Sequence, residues 1–145
     1  MSRFAHFELS EFVYSKTARD RGIDNTPSFE VVEHIAELCE KFLEPLRVAY
    51  GKPITINSGY RCPKLNQAVG GVANSAHKTG YAADLSVSGN INTLFNFITE
   101  WVKACGIRFD QIFLEHKGAT YWVHIGLYSP TGTQRGIISR IKVSE

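Results

Sequence analysis

His77 and Asp84 stand seven residues apart in the segment 75–84, with Gly80 between them. A second histidine, His124, follows in a strand-like stretch at residues 121–125. Two imidazoles and one carboxylate suit a divalent metal such as zinc and leave one coordination position open for water. Structural zinc sites usually have four protein ligands, often thiolates, so the set predicts a catalytic metal held by His77, Asp84 and His124.

Glu115 is the candidate general base for such a site. A catalytic zinc lowers the pKa of water towards ~7 and polarises a substrate carbonyl. Hydrolysis of a peptide bond also requires a group that takes the proton from water and returns it to the leaving amine. Strand alternation places Glu115 opposite Trp122 and diagonal to His124, on one face of a predicted hairpin.

Three further polar residues are candidates for contact with a substrate. Arg61 lies in a polar turn before the metal segment, and its planar guanidinium suits a carboxylate or a polarised carbonyl. Tyr60 and Ser75 are expected to hydrogen-bond to the substrate. Gly80 and Ala82 are small, and we expect them to let the backbone approach the metal closely.

Each candidate also has a structural interpretation when it is taken alone. His77 would be a surface or hydrogen-bonded histidine, His124 a packed strand residue and Asp84 the cap of a turn. Glu115 would be solvated, and Arg61 would be a surface cation. The combined spacing favours the metal site over these alternatives.

The other histidines and the cysteines are expected to be structural. Three cysteines at wide spacing give no disulfide framework. Cys39 and Cys105 fall on apolar helical faces and are predicted to be core residues, whereas Cys62 is a weaker candidate ligand. The remaining histidines are given structural roles, with the last kept as an alternate proton carrier: His6, His34 and His116.

Length and composition predict one domain over residues 1–145. A chain of 145 residues with 43% hydrophobic residues can bury a core without disulfides. Sixteen basic and 14 acidic residues give a net charge of +2, which offers no general case for nucleic-acid binding. No signal peptide and no membrane span is visible, so we expect cytoplasmic synthesis, no membrane insertion and a monomer.

Local patterns predict an α+β fold in which helices pack on a small, mainly antiparallel sheet. Helices are expected at 10–13, 17–21, 27–46, 63–69 and 91–105. The first of these is expected to be capped by Ser10 and the third by Thr26, and Pro45 should bend or end the third. Strands are expected at 54–56, 83–87, 109–115, 121–127 and 137–143. A five-residue connection, 116–120, joins two of them into a hairpin that pairs Ile112 and Leu114 with Val123 and Ile125.

The string Ser75-x-His77-x-x-Gly80-x-Ala82-x-Asp84 resembles the signature of the zinc D-Ala-D-Ala carboxypeptidase family, which includes peptidoglycan endopeptidases. Further stretches look like its small single-domain branch, and together they cover nearly the whole chain. They are Leu9-Ser-Glu-Phe12, Gly22-Ile-Asp-Asn-Thr-Pro27, Ser58-Gly-Tyr-Arg61, Leu65-Asn-x-Ala-Val-Gly70-Gly, Phe109-Asp-Gln and Trp122-Val-His124.

The resemblance implies a hedgehog/DD-peptidase-like fold and one zinc ion on His77, Asp84 and His124. It also implies Glu115 as general base, Arg61 as a substrate-binding group and peptidoglycan stem peptides as substrates. Short relatives without signal peptides are often phage-type lysins, which reach the wall through a separate membrane-permeabilising protein. Several branches place the catalytic acid three residues before the last histidine, where this chain has Tyr121.

Three hypotheses remain open at this stage. The first is a zinc peptidase that acts on cell-wall peptides as a carboxypeptidase or an endolysin-type endopeptidase. The second is a non-catalytic zinc module that binds wall peptides or a protein partner. The third is a metal-free structural domain of a phage particle.

Overall fold

Five of the six α-helices lie in the N-terminal half and four of the five strands in the C-terminal half of the computed structural model, which describes residues 4–142. The predicted strand end at residue 143 lies outside this range. The α-helices are α1 (Leu9–Val13), α2 (Lys16–Arg21), α3 (Phe29–Leu38), α4 (Glu44–Tyr50), α5 (Pro63–Ala68) and α6 (Ile91–Cys105). The strands are β1 (Thr55–Ser58), β2 (Ala82–Ser86), β3 (Gln111–Lys117), β4 (Thr120–Gly126) and β5 (Ile137–Lys142). No helix within residues 4–142 is long and apolar enough to cross a bilayer.

The five strands form one sheet in the order β1-β2-β4-β3-β5. Three neighbouring pairs are antiparallel, and β5 runs parallel to β3 at the edge. This mainly antiparallel sheet with helices packed against it confirms the predicted α+β class. The strand bounds differ from the predicted ones by one or two residues.

The two faces of the sheet have different chemistry. Ile112 pairs with Ile125 and Leu114 with Val123, as predicted, and all four are buried in the hydrophobic core. The helix α6 packs over this apolar face. Because side chains alternate along a strand, the residues between them point away from that core. Polar side chains, including Glu115, therefore share the opposite face.

The long helix predicted from residue 27 is continuous but irregular. Between α3 and α4 the turn Cys39–Leu43 is π-helical, and Glu44 donates its backbone N–H to the Cys39 carbonyl oxygen. A π turn contains one residue more than an α turn, and it immediately precedes Pro45, which has no N–H to donate. The helix thus neither ends nor breaks at Pro45 but continues to Tyr50.

Three local predictions were wrong. The residue before α1 is Glu8 rather than Ser10, and its N–H donates to the Glu11 carboxylate at 2.7 Å. The cap of α3 is Ser28, because the N–H and hydroxyl of Thr26 are both bonded to Asp24. The β3–β4 turn has two residues, 118 and 119, rather than five, since Lys117 already pairs with Thr120.

The cysteines follow the prediction only in part. Cys39 is fully buried in the core, whereas Cys105 is exposed. Cys105 has the same helical phase as the buried Ile98 and Val102, but it is the last residue of α6, where the chain turns away at Gly106.

Asp110 connects the start of β3 to the start of β5. Its side chain is almost fully buried and accepts hydrogen bonds from the Arg135 backbone N–H, Nε and Nη2 at 2.8–3.0 Å. The Asp110 backbone carbonyl also accepts from the Ile137 N–H. Burial would raise the pKa of Asp110, but the hydrogen bonds from Arg135 outweigh it and leave the pKa lowered.

Replacement of Asp110 by Asn should lower the free energy of unfolding by about 1.5–3 kcal/mol at pH 7, the usual value of hydrogen bonds to a charged group. A lowered folded-state pKa stabilises the fold above the pKa of the unfolded chain, and this stabilisation is lost as the pH falls. The difference between the proteins should therefore shrink below about pH 4. Denaturant titrations at several pH values measure the free energies of unfolding of both proteins, and Asp20→Asn, at an exposed position, is the control. A difference that does not change with pH would contradict the role of the ionised Asp110 carboxylate.

Candidate metal centre

The structure brings His77, Asp84 and His124 together on the face of the sheet opposite α6. All three are buried, and one ligand atom of each lies within 4.8 Å of the others. Asp84 Oδ1 is 3.3 Å from His77 Nε2 and 3.0 Å from His124 Nδ1. Bonds of about 2.0–2.1 Å to a tetrahedral zinc place ligand atoms about 3.3 Å apart. Within residues 4–142 this is the one cluster of such side chains that could hold a metal ion.

Strand register and a short 3₁₀ turn place the three side chains. Asp84 and His124 are direct partners in the β2–β4 pair, so their side chains lie on the same face. His77 comes from the 3₁₀ turn Ala76–Lys78, whose first N–H groups are capped by Ser75: the Ser75 Oγ accepts from the His77 N–H at 3.1 Å.

Gly80 is required in the loop between His77 and β2, but not for the predicted reason. Its φ of +88° is one that residues with a side chain rarely adopt, and a Cβ there would lie 3.0 Å from the Val31 carbonyl oxygen and 3.2 Å from Ile35 Cγ1. The close approach is therefore to helix α3 rather than to the metal position, which corrects the sequence-based expectation.

A second hydrogen bond fixes which nitrogen of each imidazole faces the centre. His77 Nδ1 lies 2.7 Å from the Gly59 carbonyl oxygen, which can only accept, so Nδ1 carries a proton and Nε2 is left to bind a cation. His124 Nε2 lies 3.1 Å from Gln111 Oε1, which leaves Nδ1 facing Asp84. Such partners orient ligands and set their tautomers in metal sites.

Gln111 had no predicted role. The alternation of side chains along β3 places Gln111 on the same face as Glu115 and near His124. This alternation is the feature of the sequence from which its position could have been predicted. The Gly59 carbonyl could not have been identified, because nothing in the local pattern links it to His77.

Electrostatics favour a cation at this position. Burial would raise the pKa of Asp84, but the two neighbouring imidazoles, His77 foremost, outweigh it and hold that pKa well below its usual range. Burial lowers the pKa of His77, whereas for His124 the interactions with Asp84 outweigh burial and raise the pKa. Ligand nitrogens bind metals in the deprotonated form, so the lowered pKa of His77 favours metal binding and the raised pKa of His124 opposes it.

Arg61 lies beside the cluster, and its role towards substrate stays a prediction. Its Nη2 is 3.5 Å from Asp84 Oδ2, its Nε 3.3 Å from Ser58 Oγ, and its Nη1 3.3 Å from Asn66 Oδ1. These long contacts hold the guanidinium at the edge of the site and leave further N–H groups for a ligand.

Glu115 lies opposite Trp122, as predicted, and diagonal to His124 on the same face. The Trp122 indole N–H donates to Glu115 Oε1 at 2.8 Å. This bond fixes one carboxylate oxygen, so the other is the one available for proton transfer. His116 lies on the opposite face of β3 and stacks on Tyr121, which does not support its use as an alternate proton carrier.

The remaining candidates have defined structural positions. Ser75 is buried and its hydroxyl already accepts from His77, while its role towards substrate stays a prediction. Tyr60 is partly exposed, and burial raises its pKa, so its hydroxyl stays protonated. Cys62 is not part of the cluster; its Sγ caps α5 by accepting from the Leu65 N–H.

Replacement of Gln111 by Ala should lower zinc affinity about tenfold or more, because His124 loses the acceptor that orients it. Gln111→Glu keeps an acceptor at this position and should retain affinity. Competition with a chromophoric chelator measures both, with the exposed Gln67→Ala as matched control. Equal affinity of Gln111→Ala and Gln67→Ala would show that the contact does not position the ligand.

Comparison with known proteins agrees with this geometry. A relative from Streptomyces albus G, named zinc D-Ala-D-Ala carboxypeptidase, is 52% identical over 44 residues. The match covers 30% of this chain but only 17% of that protein, so the chain matches less than a fifth of the relative's length. The family model described as Peptidase M15 matches residues 5–126, which include all three clustered side chains. The chain therefore belongs to the peptidase M15 family.

Proposed function

We propose that this protein is a zinc-dependent peptidase that hydrolyses peptide bonds in the stem peptides of bacterial peptidoglycan. The observation that carries the proposal is the buried cluster of two imidazoles and one carboxylate, in which each imidazole has its second nitrogen engaged elsewhere. Three protein ligands leave a coordination position for water or substrate, which is the arrangement of catalytic zinc sites.

Membership of a peptidase family and the partial match to a zinc D-Ala-D-Ala carboxypeptidase support this choice of reaction and substrate. The proposal covers both removal of a terminal D-alanine and cleavage within the stem, because both use the same hydrolytic step. The non-catalytic zinc module remains the alternative that the experiments below must exclude.

The residues divide the work of hydrolysis among them. His77, Asp84 and His124 would hold the zinc ion, which would act as a Lewis acid towards water and the scissile carbonyl. The second carboxylate oxygen of Glu115 accepts the proton of the attacking water and passes it to the leaving amine. Arg61 binds an oxygen of the substrate through the N–H groups that its neighbours leave free.

Purified protein with zinc should convert a synthetic stem pentapeptide into fragments whose summed mass exceeds that of the peptide by one water. A chelator should abolish this conversion and added zinc should restore it, because the reaction depends on the ion. Mass spectrometry of the products identifies the scissile bond. Stoichiometric zinc without cleavage of any stem peptide would favour the non-catalytic module.

Replacement of Glu115 by Gln should lower kcat by about a hundredfold or more, the usual contribution of general acid–base catalysis, with zinc content unchanged. The amide keeps an oxygen for the Trp122 N–H but cannot accept the proton. The exposed Glu40→Gln is the matched control and should behave as wild type. Full turnover by a zinc-loaded Glu115→Gln protein would remove Glu115 from the mechanism.

A further inference from the structure

A cavity of about 350 Å³ lies between the start of α2 and the segment that leads from β1 into α5. Its volume is in the range of small-ligand pockets, which is about 300–1,000 Å³. The cationic side chains that line it are Lys16 and Arg61, and hydroxyl groups come from Tyr14, Thr17 and Tyr60. None of the described residues that line it carries a carboxylate. The lining therefore suits a negatively charged group with hydrogen-bond acceptors.

The cavity adjoins the metal centre through two of its walls. Ser58 lines the cavity and is the register partner of Asp84 in the β1–β2 pair. Arg61 lines it as well, and its Nη2 is 3.5 Å from Asp84 Oδ2. A peptide held at the metal would therefore lie next to the cavity.

Hydrogen bonds across the chain lock the walls of the cavity together. The Tyr60 N–H donates to the Phe12 carbonyl at 2.7 Å, and a Cβ on Gly59 would lie 2.6 Å from the same oxygen. The buried Asn25 donates to the Val13 and Tyr60 carbonyls at 2.9 and 3.0 Å. Such fixed walls let a ligand bind without an ordering cost in the backbone.

Lys16 is the adaptable part of this lining. Its ammonium group is paired with the Asp20 carboxylate at 2.5 Å, but the Lys16 side chain is 72% exposed. Exposed pairs of this kind contribute little to stability, so the ammonium group can turn to a ligand at small cost.

We propose that this cavity is the subsite that binds a carboxylate of the peptide substrate, with Lys16 and Arg61 as its cationic partners. The inference rests on the proposed function for the identity of the peptide. A stem peptide offers two sources of this group, the α-carboxylate of its γ-linked D-glutamate and its terminal carboxylate, and the experiment distinguishes them.

The test measures binding rather than turnover. Zinc-loaded Glu115→Gln protein of residues 1–145 is titrated calorimetrically with L-Ala-γ-D-Glu-L-Lys-D-Ala-D-Ala and with two analogues, one amidated at the D-Glu α-carboxylate and one at the C-terminus. Addition of Lys16→Glu should raise Kd for the parent peptide about tenfold, because an attraction becomes a repulsion. The analogue that lacks the carboxylate bound in the cavity should bind to the protein with Lys16 about as weakly as the parent peptide binds to the Lys16→Glu protein. For that analogue, Lys16→Glu should change Kd little further.

Two controls isolate the effect of Lys16. Lys103→Glu makes the same change of charge on α6, away from the cavity, and should leave Kd within about twofold. Asp20→Asn removes the partner of Lys16 and should keep or strengthen binding. Equal weakening by Lys16→Glu and Lys103→Glu, an unchanged Kd in Lys16→Glu, or no binding of the parent peptide would each overturn the subsite. Absence of hydrolysis by the wild-type protein would instead reject the peptidase, whatever the binding result.

Discussion

The pairing of β2 with β4 in a single register is the constraint on which the centre depends. Asp84 faces His124 across this pair, and the next pair along, Leu85 with Val123, enters the hydrophobic core. A slip by one residue would turn Asp84 into the core and Leu85 away from it. Burial of the apolar face therefore fixes the geometry of the polar face, so that the energy that folds the sheet also assembles the ligands.

Hydrogen bonds from residues outside the cluster orient the side chains that the strand register brings together. The Gly59 carbonyl and the Gln111 amide each accept from one imidazole, and Ser75 caps the turn that carries His77. These groups come from the residue after β1, from β3 and from the loop before β2, so the centre connects several elements of the sheet. Ligands held in this way lose little freedom when a cation binds, which makes the binding site rigid in advance.

The parts that follow from local periodicity could be predicted from the sequence. The position of Glu115 opposite Trp122 follows from the alternation of apolar residues, which fixes which side chains share a face of the strand. The amphipathic pattern of residues 91–105 likewise predicts α6. The contact of Gln111 with His124 could not be predicted as such, because a glutamine in a strand has many possible partners. The start of α3 was misplaced for a related reason: Thr26 and Ser28 both fit a cap, and only the bond from Thr26 to Asp24 decides between them.

The π turn at Cys39–Leu43 has a consequence for changes in chain length. It inserts one residue into a helix that otherwise repeats every 3.6 residues, and so sets the rotational phase of α4 relative to α3. Leu46, fully buried in α4, faces the core only because of that phase. Loss of one residue from the π turn would restore a regular α-helix with nearly the same phase, whereas the same residues in a regular α-helix would rotate Leu46 by about 100° away from the core. The helix can therefore absorb the loss of one residue at this turn, whereas one further inserted residue would turn α4 away from the core.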